Sequence, residues 1–180
     1  MQETAQEYTQ RLLGYVDGKP GLRIQQATPK KLSLLTKRLD RKRLAKRPAP
    51  DKWSVAEILA HMADSELAVA WRLRMILTSD GVPIQAYDQD AWAGTFNYGR
   101  RDPKDSLERF RVLRESNVAL LKSVPRNLLG NYGMHAERGK ETVSHLINMV
   151  AGHDLNHLRQ VESMVKAPRA KGKRKPKKGQ

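Results

Sequence analysis

The sequence predicts an all-α protein whose four main helices close into a bundle. Three observations carry that reading. Apolar residues recur at three- and four-residue spacing in four long stretches, capping signals open several of them, and no run of alternating apolar residues marks a strand, so a sheet is not expected.

Before the bundle, Thr4 with Glu7 three residues later forms a capping box for a short N-terminal helix reaching about Val16, where Gly18, Pro20 and Gly21 interrupt. Thr28 followed by Pro29 reads as an N-cap with proline at the first helical position. The first main helix then carries Leu32, Leu35 and Leu39 on one face, with Pro48 and Pro50 as its latest stop. Ser54 with Glu57 is a second capping box, with Trp53 placed as a hydrophobic staple. It opens a helix to about Thr78 whose buried stripe is Val55, Ile58, Met62, Val69, Leu73 and Ile76. The stretch 80–101 reads as a long loop, made functional rather than disordered by Tyr87, Trp92, Phe96 and Tyr98. Asp102 and Pro103 open the third helix, which carries Leu107, Phe110, Leu113, Leu120, Leu121 and Val124. A Gly-containing loop over 125–140 leads to the fourth, which starts at Glu141 or Thr142. Four helices joined by long crossovers imply a four-helix bundle.

The net charge is +15 over 180 residues, and its location decides its meaning. Eight Lys and Arg with no acid fall in 166–180, nine with the single acid Asp40 fall in 30–47, and 48–165 holds 14 basic against 15 acidic residues. A uniformly basic nucleic-acid surface is therefore not indicated. The stretch 166–180 has no bulky apolar residue and is expected to be a disordered tail, set apart from a folded domain over 1–165. Such a tail can touch nucleic acid weakly and non-specifically, or simply solubilise the chain. With no Cys, disulfides and thiolate ligands are excluded. No apolar run approaches the roughly 20 residues that a membrane helix needs. The first ten residues lack a signal-peptide pattern. Together these features predict a cytoplasmic protein without membrane insertion.

The sharpest chemical feature is the pair His153 and His157 on the inner stripe of the fourth helix. Spacing of four stacks two imidazoles one turn apart, where they can share a metal ion or serve as packed histidines with ordinary partners. The surrounding HDLNH is not the HExxH of a zinc protease, since Asp154 stands in place of Glu. His61, on the face of Ile58, Ser65 and Val69, is either a core residue or a third inward ligand. Three histidines with an open fourth position is a catalytic arrangement rather than a structural one. His145 lies two turns from His153, roughly 12 Å along the axis, and reads as structural or surface. His135 sits in a loop beside Glu137 and Arg138 and reads as a local ion-pair or turn residue. Asp64 and Asp154 are candidate bases, or carboxylates orienting a ligand histidine. Tyr87, Asp88, Asp90 and Trp92 are candidates for the mouth of the site, with anchoring of the loop as the alternative for Trp92.

These residues resemble the DinB/YfiT-like superfamily, which includes bacillithiol S-transferases, a mycothiol-dependent maleylpyruvate isomerase and many proteins labelled as metal-dependent hydrolases. The matching stretches are ATPKKL (27–32), KWSVAEILAHMADSE (52–66), RLRMIL (72–77), PIQAYDQDAWA (83–93), HAERGKETV (135–143) and AGHDLNHLRQVE (151–162). The resemblance implies an up-down-down-up four-helix bundle, often dimeric. It also implies a divalent metal held by His61, His153 and His157, zinc or nickel first and manganese or iron next. It implies an enzyme acting on a small-molecule substrate, either transferring a low-molecular-weight thiol or hydrolysing with a metal-activated water. The competing reading is a non-enzymatic stress or interaction protein whose basic tail contacts nucleic acid, and a third is a metal carrier.

Overall fold

A computed structural model describes residues 3–167. The basic tail expected from residue 166 lies, from 168 onward, outside the described residues. Helix α1 (Ala5–Val16) opens on the Thr4–Glu7 capping box. It is followed by α2 (Gly21–Thr36), a single turn α3 (Arg41–Leu44) capped by Asp40, and α4 (Val55–Thr78), which starts at the Ser54–Glu57 capping box. Next come strand β1 (Val82–Ile84), the short helix α5 (Gln89–Thr95) capped by Asp88, and α6 (Pro103–Ser123), capped by Asp102. Strands β2 (Tyr132–His135) and β3 (Gly139–Thr142) then lead directly into α7 (Val143–Lys166), whose N-cap is Thr142.

The bundle consists of α2, α4, α6 and α7, with α1 laid along α7. Side-chain pairings give the directions. Glu66 meets Arg114 while Arg74, further along α4, meets Asn117, further along α6, so those two helices run parallel. His61 near the start of α4 meets His157 late in α7, so that pair is antiparallel. Gln25 on α2 meets both Ile147, early in α7, and Arg114, midway along α6. Leu32, later in α2, shares a cluster with Phe110 and Leu158, so α2 runs with α7 and against α6. The topology is up-down-down-up, as the resemblance implies.

Two apolar clusters fill the bundle. One gathers Leu32, Val55, Ile58, Leu59, Met62, Phe110, Leu158 and Val161; the other gathers Leu73, Ile76, Leu77, Ile84, Leu121, Val143, Leu146 and Val150. A polar belt of Gln25, Thr28, Glu66, Arg114, Asn117 and Asp154, each at most 2% exposed, belongs to neither.

Two expectations need correction. The first main helix does not start at Thr28 and Pro29: α2 starts eight residues earlier, and Pro29 lies inside it. Proline removes the amide that would bond the carbonyl four residues back, which is Gln25. That carbonyl accepts instead from Arg114 Nη1 at 3.1 Å, so the helix continues through the proline with its orphaned acceptor satisfied. The helix then ends at Thr36, well short of Pro48. Second, a small sheet is present, with β1 parallel to β2 and β2 antiparallel to β3. Strands of three or four residues are too short for alternation to stand out in sequence. The hairpin closes at Gly139, whose φ of 76° suits glycine.

Candidate metal centre

The three histidines converge on one point between α4 and α7. His61 Nε2 lies 3.0 Å from His153 Nε2, which lies 3.0 Å from His157 Nε2. One ligand nitrogen from each falls within 4.8 Å of the other two. A tetrahedral ion with bonds of 2.0–2.1 Å holds its nitrogens about 3.3 Å apart, so this spacing suits a single cation with little movement. Burial pushes all three imidazoles below the ordinary histidine range. His157 reaches about 4, and neighbouring imidazoles depress His61 and His153 further. At neutral pH they are uncharged bases, the form that ligates a metal.

Local structure fixes their orientation. His157 Nδ1 donates to Gln160 Oε1 at 2.8 Å, which places its free lone pair on Nε2, facing the other two rings. Trp53, just before the α4 cap, packs its indole 4.8 Å from the His61 ring. The Ser65 hydroxyl, one turn after His61, lies 3.4–3.5 Å from that ring's nitrogens and 2.8 Å from the Tyr87 hydroxyl. Gly152, immediately before His153, allows α1 to lie against α7, since a Cβ there would collide with the Leu12 backbone. Helix α1 thereby brings Tyr8 and Arg11 to the wall of a cleft of about 1180 Å³ whose lining includes the three histidines.

The structure separates the other candidates from this point. Asp64 binds Arg101 Nη1 at 3.0 Å and raises the pKa of the buried Tyr98 hydroxyl, with burial as the larger cause. Asp154 points its carboxylate into the polar belt, bonded to Arg114. Arg114 also donates to Glu66 at 2.8 Å, and Asn117 Nδ2 closes on Glu66 Oε1 at 2.8 Å. Among the described residues no carboxylate is hydrogen-bonded to any of the three histidines. Tyr87, Asp88 and Asp90 line the cleft, and Trp92 stands behind them, stacked on Tyr87 at 4.3 Å. His145 sits in the first turn of α7, where its amide donates to the Thr142 hydroxyl that caps the helix. His135 ends β2 rather than lying in a loop, and is 3% exposed.

Sequence reading missed Arg114, Glu66 and Gln160. Arg114 carried a legible signal: it falls between Phe110 and Val118 on the buried face of α6, a stripe position where a charge must have partners. Gln160 carried only its spacing of three from His157.

A model of the DinB superfamily matches residues 25–161. A protein of Halalkalibacterium halodurans named "Putative metal-dependent hydrolase" is 26% identical over 134 residues, which span 74% of this chain and 78% of that one. The Bacillus subtilis protein named "Putative metal-dependent hydrolase YfiT" is 25% identical over 114 residues, spanning 62% and 64%. A solved structure of Bacillus subtilis YfiT, described as having "an unusual four-helix bundle topology", superimposes with a TM-score of 0.75 at 21% identity, covering 80% of this chain and 83% of that one. With a family match across most of its length and the same bundle topology, the chain belongs to the DinB superfamily.

Proposed function

We propose that the chain is a divalent-metal-dependent enzyme acting on a small-molecule substrate in the cleft above His61, His153 and His157. The observation that carries this reading is the convergence of three neutral imidazoles, with no carboxylate among them, on the wall of a cleft of about 1180 Å³. A divalent cation held there supplies Lewis acidity, lowering the pKa of a water or thiol presented on its open side. All-imidazole ligation suits zinc, nickel and iron better than a hard oxygen-seeking ion, so zinc or nickel is the first expectation.

Between thiol transfer and hydrolysis, the chain's own residues favour transfer of a low-molecular-weight thiol. Hydrolysis by a metal-activated water is helped by a base that takes its proton. The carboxylates nearest in sequence, Asp64, Glu66 and Asp154, are committed to Arg101 and Arg114. A thiol, being far more acidic than free water, depends less on such a base. The linked hydroxyls of Tyr87 and Ser65 are then the groups placed to orient the electrophile. Hydrolysis is the second reading, supported by the names of the relatives.

The test is metal content of freshly purified, untagged chain beside the triple variant His61→Ala/His153→Ala/His157→Ala. About one equivalent of a transition metal in the first and none in the second is expected. The metal-loaded chain is then assayed with a panel of small thiols and an alkylating electrophile, and separately with ester and amide substrates. A chain that takes up neither zinc, nickel, manganese nor iron overturns the reading.

A further inference from the structure

The cleft that holds the three neutral histidines also has a charged feature, and metal binding does not account for it. Arg72 lies eleven residues after His61 on α4, within about 20° of the same helical face and roughly 16 Å further along the axis. Both side chains line the same cleft. Arg72 is half-buried, and among the described residues it has no ion pair. Of its five N–H groups, one is used, donated from Nη2 to the Gln85 carbonyl at 2.7 Å, while its guanidinium carbon lies 5.5 Å from the Tyr87 ring centre. Burial disfavours the charge on Arg72 most, a second guanidinium lining the cleft, Arg138, adds to this, and Tyr87, Glu141 and Glu137 oppose it. Arg138 is balanced by the buried Glu141 at 2.6 Å. Beside them, His135 is 3% exposed and accepts the Glu137 amide on Nδ1, so its proton is on Nε2, where no acceptor meets it. Glu137 and Glu141 act on Arg72 only from a distance, so among the described residues no anion is paired with its fork, and the His135 donor nearby is left without an acceptor.

We propose that Arg72, supported by Arg138, forms an oxyanion-binding subsite at the far end of the cleft, taking a carboxylate or phosphate of a substrate whose reacting end lies at the three histidines. The fork of Arg72 matches either group in a bidentate manner. Two separated anchors select an extended, acidic small molecule, bound by its anionic end and presented by its other end. Assigning the anion to the substrate rests on the metal-dependent reading; the subsite itself does not.

The experiment uses the metal-free chain, so that failure of metal uptake and failure of this subsite are separate results. Arginine side-chain Nε–H resonances are followed by NMR while inorganic phosphate, and in a second arm acetate, replaces chloride at constant ionic strength. A saturable shift of the Arg72 resonance is expected, with affinity reduced at least about tenfold in Arg72→Gln and less in Arg72→Lys, which keeps the charge without the fork. Arg109→Gln, at an exposed arginine on α6, is expected to leave the affinity unchanged. Saturation by either oxyanion supports the subsite, and the tighter one names the group. No saturable shift in the wild type, or equal affinity in Arg72→Lys and Arg72→Gln to that of the wild type, overturns it. The wild-type resonance decides the matter even where a variant fails to fold.

Discussion

Two polar clusters lie side by side in this bundle, and neighbouring residues feed them in opposite ways. On α7, His153 joins the histidine site while Asp154 enters the belt; on α4, Ser65 faces His61 while Glu66 enters the belt. The belt is closed by hydrogen bonds rather than by equal charge. One guanidinium serves two carboxylates and the Gln25 carbonyl, and of its donors only Arg114 Nε is left without a partner. The histidine site is the reverse, with three bases brought together and no acid to meet them. A belt so satisfied has no use for a ligand, whereas converging lone pairs are stable only with protons or a cation between them. A converging group of buried bases thus marks a site when no neighbour supplies the protons or the cation it lacks.

The comparison breaks most visibly at Arg114. In Arg114→Met the carboxylates of Glu66 and Asp154 stay buried without their cation, and the Gln25 carbonyl loses the donor that substitutes for the missing Pro29 amide. A loss of about 3–5 kcal/mol in urea unfolding is expected. A loss under about 1 kcal/mol would mean that water reaches the belt and that it is no closed network.

Acid sharpens the difference, because His157 in one cluster and Asp154 in the other respond with opposite sign. His157 takes up its proton at about 4 when folded and near the usual 6.5 when unfolded. Between those values the unfolded chain binds more protons, so the metal-free protein loses stability as pH falls from 6.5 to 4, by about 3 kcal/mol from this residue. Above 6.5 its contribution is flat. Asp154, pushed up by burial, works the other way: the folded state holds its proton more tightly, and stability is gained as pH falls toward 3.8. The difference between wild type and His157→Gln across pH 4–7 isolates the histidine, and a flat difference would refute its depressed pKa.

How much of this was legible in sequence follows from where the information is stored. Capping boxes at Thr4 and Ser54, the cap at Asp102 and the 3.6-residue stripes are local, and they located α1, α4, α6 and α7. The start of α2 was misplaced because proline reads as a helix start, and the donor that lets the helix run through Pro29 comes from Arg114, 89 residues away. The sheet was missed for a related reason: β1 pairs with β2 across α5 and α6, and three residues of strand leave no pattern. For the site, His153 and His157 were visible as an i, i+4 pair. The helical face of His61 left it as either a core residue or a third ligand, and resemblance to a family decided between them, since nothing local links it to His153, 92 positions away. Asp64 and Asp154 drew attention as acids close to histidines in the chain. Asp154, next to His153, is turned about 100° away from it on the helix and toward Arg114, while Asp64, three residues after His61, is held by Arg101.

The smallest expected effect is the most specific to the site. Gln160 is exposed at the rim of the cleft and touches His157 only through the 2.8 Å bond to Nδ1. Gln160→Leu removes that acceptor without opening a cavity, so urea stability of the metal-free chain should stay within about 0.5 kcal/mol of wild type. With the acceptor gone, the His157 proton can move to Nε2, and the ring can turn, each of which withdraws the lone pair from the point shared with His61 and His153. A loss of about 10–100-fold in zinc affinity, measured by competition with a chelator, is the expected result. Gln160→Glu, which keeps an acceptor and adds charge, should restore or tighten binding. Were Gln160→Leu to bind zinc as the wild type does, the three rings would be held by packing alone, and Trp53 against His61 would become the residue to change.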